Sequence, residues 1–314
     1  MSPGRDLGRS VRAFAPATVA NLGSGFDVLG LALMGAGDTV TARLATSPGV
    51  RITRVSGDGG RLPADAARNT AGIAATYTLR RAGMDAGIEL EIAKGLPLGS
   101  GLGSSAASAA AAAWAVNVLL GSPLRRAELI APCIEAEAAV SGRHADNVAP
   151  ALLGGLVLVR SMDPTDIVRL PVPEGLTVAV VTPMHEVSTR DARAVLPATV
   201  PLAQFVRSTA NLAAFVSACF SGDLALLARA MEDDVVTPAR AQLIPGCREV
   251  IAAALAAGAL GSSISGSGPT VFALCRSERS AADAAAAMRA AFQRAGLESS
   301  AMLSPADCPG AREA

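Results

Sequence analysis

Apolar and polar residues alternate along DTVTARLA (38–45) and VRITRVSG (50–57), the pattern of strands with one face buried. The same period of two returns in IELEIAKGLP (88–97), where Ile88, Leu90 and Ile92 point one way and Glu89 and Glu91 the other. Between them, Asn69 to Ala82 reads as a helix that ends near Gly83. Pro97 stops the third strand and a glycine loop begins. Ala106 to Leu120 is a helix by propensity, closed by Gly121-Ser122-Pro123. Leu124 to Val140 reads as another helix, with a kink expected at Pro132. After the polar knot SGRHADNVAP (141–150), LLGGLVLVR reads as an apolar strand and MDPTDIVRLPVPEG (162–175) as a boundary rich in proline and charge. TVAVVTP (177–183) opens a second set: a strand, a loop over 184–191, helices to about residue 257, the stretch GSSISGSGPTVFALC and a last helix over 278–296. At the front of the chain, VRAFAPATVANLG reads as a strand broken by Pro16, and FDVLGLAL leads into the next strand.

Strands and helices mix without a regular βαβα rhythm, so α+β layers are expected rather than a doubly wound parallel sheet. No internal repeat has a fixed period. A chain of 314 residues is long enough for two ordinary domains, and the boundary region divides it into residues 11–172 and 173–314.

Composition narrows the function. The formal net charge is zero, and basic and aromatic residues do not interleave, which argues against nucleic acid. No apolar stretch has the length and character of a membrane span. Nor does MSPGRDLGRSVRAFAPATVANLG hold an apolar run long enough for a signal peptide, so a cytoplasmic protein is expected. The five cysteines (Cys133, Cys219, Cys247, Cys275 and Cys308) lie far apart and form no CxxC, which fits a reducing compartment; Cys133, Cys219 and Cys275 stand in apolar surroundings, where inert burial is expected. Lys94 is the only lysine.

The most informative stretch is GLPLGSGLGSSAAS (95–108), with four glycines and four serines directly before a helix. It is not a Walker loop, because no lysine follows the glycines. It is not a dinucleotide fingerprint either, because Ser104 stands where the last glycine belongs. The HRD and DFG triplets of protein kinases are missing. Two readings stand on the residues alone: a phosphate held at the amide-lined start of a helix, or a plain structural turn. Glu135 and Glu137 on the next helix could serve a metal or be solvated charges. His144, in the knot with Arg143, Asp146 and Asn147, could be a ligand or a hydrogen-bonded structural histidine.

PLGSGLGSSAAS (97–108) resembles the P-x-x-x-G-L-G-S-S-A-A loop of the GHMP kinases, which phosphorylate small molecules such as galactose, homoserine and mevalonate. PATVANLGSGFDVLGLAL (16–33) is similar to that family's first motif in its homoserine kinase form, with Ser24 where proline is frequent. SSISGSGPTVFAL (262–274) is similar to its C-terminal glycine motif. The resemblance spans nearly the whole chain. It implies a two-domain α+β GHMP kinase fold, with an N-terminal domain like ribosomal protein S5 domain 2 and a C-terminal ferredoxin-like α/β sandwich.

The resemblance also implies roles. ATP would lie on Pro97, Leu98, Gly99, Ser100, Gly101, Leu102, Gly103, Ser104 and Ser105, with Asn69 and Lys94 near the adenosine portion. Mg²⁺ would be held by Ser105 and an acidic residue shortly before the histidine; Glu137 is the match, with Glu135 left open. Asn147 stands where mevalonate-type kinases place a catalytic aspartate, and an asparagine takes no proton, so positioning and charge neutralisation are expected to carry the reaction. An amino acid acceptor, L-homoserine, would use Asn21 and Asp27 at its ammonium and hydroxyl end. His144 and Thr189 would add contacts, and Arg193 and Arg240 would take its carboxylate. Another GHMP kinase, of mevalonate or shikimate type, and a non-catalytic ligand-binding protein of the same fold are the alternatives. A homodimer is left open.

Overall fold

A computed structural model of the chain describes residues 8–314, so the first seven positions of the stretch read for a signal peptide lie outside the described residues. Two sheets organise it. The larger is built on β1 (Ser10–Ala20), β2 (Leu29–Ala45), β3 (Gly49–Ser56) and β4 (Gly87–Ala93), in the order β1-β2-β4-β3. The 17-residue β2 is shared: Thr39–Ala45 pairs with β4, while Leu29–Leu31 pairs with β5 (Leu156–Met162), which continues antiparallel into β6 (Thr165–Leu170). The smaller sheet holds β7 (Thr177–Pro183), β8 (Gly261–Ile264), β9 (Val271–Cys275) and β10 (Ser299–Pro305), in the order β10-β7-β9-β8. A final short strand, β11 (Arg312–Glu313), returns to the edge of the first sheet beside β1. Among the described pairings only β3 with β4 is parallel, so the α+β expectation holds.

Period-two patterning decides where each sheet faces. In β4, Ile88, Leu90 and Ile92 join Val11, Ala13, Val40 and Ala42 beneath α1 (Thr70–Arg81), α2 (Ser104–Leu119) and α3 (Ile130–Ala138). In β7, Val178 and Val180 face Leu29, Leu31 and Leu33 of the larger sheet, while Ala179 and Val181 face α9 (Cys247–Ala256) and α10 (Glu278–Arg294). The core between the sheets also takes Phe215 of α6 (Leu202–Ser221) and Leu227 of α7 (Leu224–Ala230). The alanine-rich α2 is buried almost all round, because alanine lets sheet and helices approach from every side.

Several elements depart from the sequence reading for local reasons. Pro16 does not break β1, because it sits where the register with β2 shifts and a missing amide leaves no ladder bond unmade. Pro132 falls in the first turn of α3, where its amide would be unpaired anyway; the helix starts at Ile130 after a 3₁₀ turn, Arg126–Leu129. The region 162–175 holds β6, a half-exposed hairpin strand bounded by its prolines. The loop expected over 184–191 runs into α5 (Thr189–Ala194), and α4 (Val148–Leu153) follows the polar knot before β5. The two late strands β10 and β11 have no counterpart in the sequence reading. All five cysteines are free and buried, and burial pushes every thiol above its ordinary value. Among the described residues no helix is long and apolar enough to cross a membrane.

One buried cluster fastens the glycine loop to the larger sheet. Asp38, in the middle of β2, pairs with Lys94, whose side chain is 2% exposed. One Asp38 carboxylate oxygen accepts from the amides of Gly95 (3.0 Å) and Leu96 (3.3 Å); the other accepts from the Ser108 hydroxyl (2.7 Å). Lys94 Nζ also donates to the Ser104 carbonyl and the Ser108 hydroxyl, both at 2.8 Å. Burial pulls Lys94 below its ordinary pKa, and Asp38 works against that pull. Removing one partner leaves a charge buried without compensation. Asp38→Ala is therefore expected to lower unfolding free energy by about 3–5 kcal/mol, read as a fall in the urea midpoint. Asp38→Leu with Lys94→Met, which removes both charges, is expected to recover only part of that loss, because the Gly95 and Leu96 amides and the Ser104 carbonyl lose these partners.

Candidate active site

The glycine loop gives the helix behind it an open start. Gly103 is the N-cap of α2 and has no side chain to bond the first amides, so these point out of the helix with the positive end of its dipole. The loop keeps its shape through the other half of the molecule. At Gly101 (φ +78°) a Cβ would lie 2.5 Å from the Ser265 carbonyl oxygen and 2.7 Å from that of Gly268. The Ser265 hydroxyl donates to the Gly101 carbonyl at 2.7 Å, and the Thr270 amide donates to the Ser100 carbonyl at 3.2 Å. The glycine-rich turn between β8 and β9 thus props the loop from behind.

In front of the helix start lies a cleft of about 230 Å³. Leu98, Gly99, Ser100, Gly101, Gly103, Ser104 and Ser105 line it; Pro97 and Leu102 do not. Pro97 is exposed and Leu102 packs into the core between the sheets. Asn69 and Lys94 reach the wall, but their polar atoms serve the protein. Asn69 caps α1 through the Ala71 amide (3.0 Å) and donates to the Pro63 carbonyl (2.9 Å). Lys94 spends its donors on Asp38, Ser104 and Ser108.

The last turn of α3 brings in the acid. The amides of Val140, Ser141 and Gly142 all fold back onto the Glu137 carbonyl, which turns the chain toward the cleft. Glu137 is 2% exposed. One of its carboxylate oxygens accepts from the Ser141 hydroxyl at 2.8 Å; Oε1 is buried with no hydrogen-bond partner. Glu135 faces outward and pairs with Arg143 at 2.7 Å, which separates the two glutamates the sequence left open. The Ser141 hydroxyl also meets His144 Nε2 at 3.2 Å. His144 Nδ1 lies 3.2 Å from the buried Asp146 carboxylate, without hydrogen-bond alignment. Burial opposes a charged imidazole here, yet Asp146 and Glu137 outweigh it, and the His144 pKa ends above its ordinary value. Asn147, next to this group, accepts from the Thr18 hydroxyl at 2.8 Å.

The opposite wall is built from both halves of the chain. Arg193, on α5, donates both terminal nitrogens to Asp27, at 2.9 and 3.1 Å. The sequence reading set these two charges at different ends of one guest; the structure joins them. Arg240, at the end of α8 (Val236–Arg240), is 3% exposed and donates to the carbonyls of Gly266 (2.6 Å) and Ala192 (3.0 Å). Both guanidinium groups lie against the Phe26 ring, at 5.5 and 5.0 Å from its centre. Burial, with Arg193 nearby, pushes the Arg240 pKa down to about 10, so it remains charged at neutral pH. Asn21 donates to the Gly266 carbonyl at 3.1 Å and accepts from the Asp27 amide at 3.3 Å. Both Asn21 and Asp27 are held at positive φ, a conformation that non-glycine residues seldom adopt. Thr189 completes the rim.

The cleft therefore gathers Asn21, Asp27, Ser105, Glu137, His144, Asn147, Thr189, Arg193 and Arg240 from distant segments. Sequence reasoning missed Thr18, Asp38, Ser108, Ser141 and Asp146. Asp146 was quoted in the polar knot without a role; the others gave no signal of their own. Chemically, the site offers an anion seat at a helix start, a buried carboxylate with a spare oxygen, and two guanidinium groups beside one carboxylate.

Comparison with known proteins identifies the family and the fold. Residues 69–155 match the family model described as GHMP kinases N terminal domain, and residues 215–294 match GHMP kinases C terminal. A curated homoserine kinase of Arabidopsis thaliana is 46% identical, with 96% of this chain and 84% of that one covered. One from Xanthomonas campestris is also 46% identical, with coverages of 97% and 94%. The crystal structure of homoserine kinase from Cytophaga hutchinsonii superposes with a TM-score of 0.94 at 46% identity, over 100% of this chain and 99% of that one. L. major mevalonate kinase in complex with R-mevalonate, at 18% identity and a TM-score of 0.68 over 98% and 100% of the two chains, shares the fold. With both halves of the family pattern in order and such identity along nearly its whole length, this chain belongs to the GHMP kinases.

Proposed function

We propose that this chain is an ATP-dependent homoserine kinase, which transfers the γ-phosphoryl group of ATP to the hydroxyl of L-homoserine and yields O-phospho-L-homoserine for threonine synthesis. The observation that carries the reading is the Asp27–Arg193–Arg240 group facing the uncapped start of α2 across one cleft. A zwitterion can replace the internal ion pair with two of its own. Its ammonium turns to Asp27 and Asn21, its carboxylate to Arg193 and Arg240, and His144 and Thr189 border it. Residues 11–172 then carry the nucleotide and residues 173–314 supply the arginines, with Arg312–Glu313 tying the chain end back to the first sheet. A cytoplasmic setting belongs to the same reading.

The first amides of α2 and the loop from Gly99 to Ser105 receive the ATP phosphates, and the positive dipole end opposes their charge. Glu137 and Ser105 fit Mg²⁺: an unpartnered buried carboxylate oxygen and a hydroxyl are hard oxygen donors, and Mg²⁺ ordinarily takes one or two carboxylates together with substrate phosphates. When bound, the ion neutralises phosphate charge. Asn147 takes no proton, so the protein contributes orientation and electrostatic stabilisation to a loose phosphoryl-transfer transition state.

The deciding experiment measures ADP release with homoserine, mevalonate, shikimate and galactose in parallel. Homoserine is expected to lead by on the order of 10⁴-fold in kcat/KM, because mevalonate or shikimate would draw Arg193 to its carboxylate and leave Asp27 unpaired, while uncharged galactose gains neither ion pair. Preference for mevalonate or shikimate, or nucleotide binding with no turnover of any acceptor, would sink the reading. Arg193→Ala is expected to raise the homoserine KM about 100-fold, the worth of a charge-assisted bidentate contact, with the ATP KM nearly unchanged. Glu137→Gln is expected to lower kcat about 100-fold and to move half-saturation by Mg²⁺ about tenfold upward in a metal titration of the rate.

A further inference from the structure

Thr18 lies in β1 with no exposed surface. A buried hydroxyl has one proton, and leaving it without an acceptor is costly. Among the described residues its one side-chain hydrogen bond goes to Asn147 Oδ1, at 2.8 Å. This contact spans 129 residues of sequence and is packed from the outside. A Cβ on Gly103 would meet the Thr18 hydroxyl at 2.1 Å and Asn147 Oδ1 at 2.8 Å, so the N-cap glycine of α2 presses directly on the pair. The Thr18 amide donates to the Leu102 carbonyl at 3.0 Å, which fixes β1 to the same loop.

The direction of this bond matters more than its existence. The two ends of an asparagine amide are nearly the same shape but opposite in hydrogen-bonding sense. If the amide turned over, Nδ2 would donate to Thr18 and the hydroxyl proton would have no acceptor. Thr18 therefore favours the orientation in which Oδ1 is engaged and Nδ2 is left for the cleft that Asn147 lines.

We propose that Thr18 is a positioning residue that holds the Asn147 amide as a hydrogen-bond donor toward the reacting groups. The proposal rests on the role given to Asn147 above. Asn147 then supplies two N–H bonds to electron-rich oxygen, either the attacking hydroxyl or the phosphoryl group, and does not accept the hydroxyl proton. Without Thr18 the amide is free to present its oxygen to the phosphates, which repels them.

The test is a double-mutant cycle on the full chain, with steady-state ADP release at saturating ATP and melting temperature as the control for folding. Thr18→Val keeps the shape and removes the proton. It is expected to lower kcat about tenfold, with the homoserine KM within about twofold, while Thr18→Ser restores the rate. In an Asn147→Ala background, Thr18→Val is expected to cause no further loss. Where Thr18→Val melts early, Thr18→Ala is read in its place. An unchanged kcat in Thr18→Val, or the same tenfold loss with and without Asn147, overturns the role of Thr18. An unchanged kcat in Asn147→Ala overturns the reading of Asn147 itself, so the two failures are told apart.

Discussion

A helix start with no capping side chain leaves amide donors that must find another acceptor. In this chain the donors belong to α2, and Gly103 cannot cap them because any Cβ there would strike Thr18 and Asn147. The surroundings follow from that constraint. Asp38 and Lys94 hold the first turn from below, and the β8–β9 turn holds the loop from behind through Ser265 and Thr270. Alanine fills the rest of α2, so the sheet and its neighbouring helices close on it from every side. With support all round and an open front, the proposed phosphate site has its donors in place before the anion arrives, the condition under which fixed dipoles stabilise charge best.

The opposite wall solves a different problem. Two guanidinium groups close to one another repel, and Arg240 is almost fully buried. Asp27 answers one of them with a two-pronged ion pair, backbone carbonyls answer the other, and the Phe26 ring lies against both. In the proposed reaction a zwitterion exchanges this internal pair for two external ones. The count of buried charges stays balanced, so binding strength stays moderate while discrimination is strong: a guest with only one of the two charges leaves the other partner stranded.

Strands with alternation were legible, because their side chains report which face is wet: 38–45 and 88–93 lie within strands, and 50–57 does so up to Ser56; TVAVVTP (177–183), buried on both faces, was legible as an apolar run instead. β10, of sequence SSAMLSP, and the two-residue β11 were not, since weak local preference leaves the partner edge to decide. The prolines of 162–175 read as a break but only bound β6. At the site, contiguous motifs pointed to the cleft. What they could not give was the use of each polar atom. Lys94 and Asn69 look like ligands from their neighbours in sequence. The fate of the Lys94 donors is decided by Asp38, 56 residues earlier, and that of Thr18 by Asn147, 129 residues later.

In the proposed reaction, where Asn147 takes no proton, the rate comes from distance and direction, and these are only as good as the least restrained group. Ser105 is fixed by the helix, Glu137 by the turn that wraps its carbonyl, and Asp27 by a backbone held at positive φ. Asn147 is the exception, because an amide can turn over without moving any neighbouring atom far. Its orientation needs a neighbour that must donate, and the fully buried Thr18 hydroxyl, whose proton goes to Asn147 Oδ1, is such a neighbour. The same reasoning explains why both halves of the chain enter one site. The loop is braced by the β8–β9 turn and the other wall is lined by α5 and α8, so in the proposed reaction the spacing between phosphate and acceptor follows from the core packed between the two sheets.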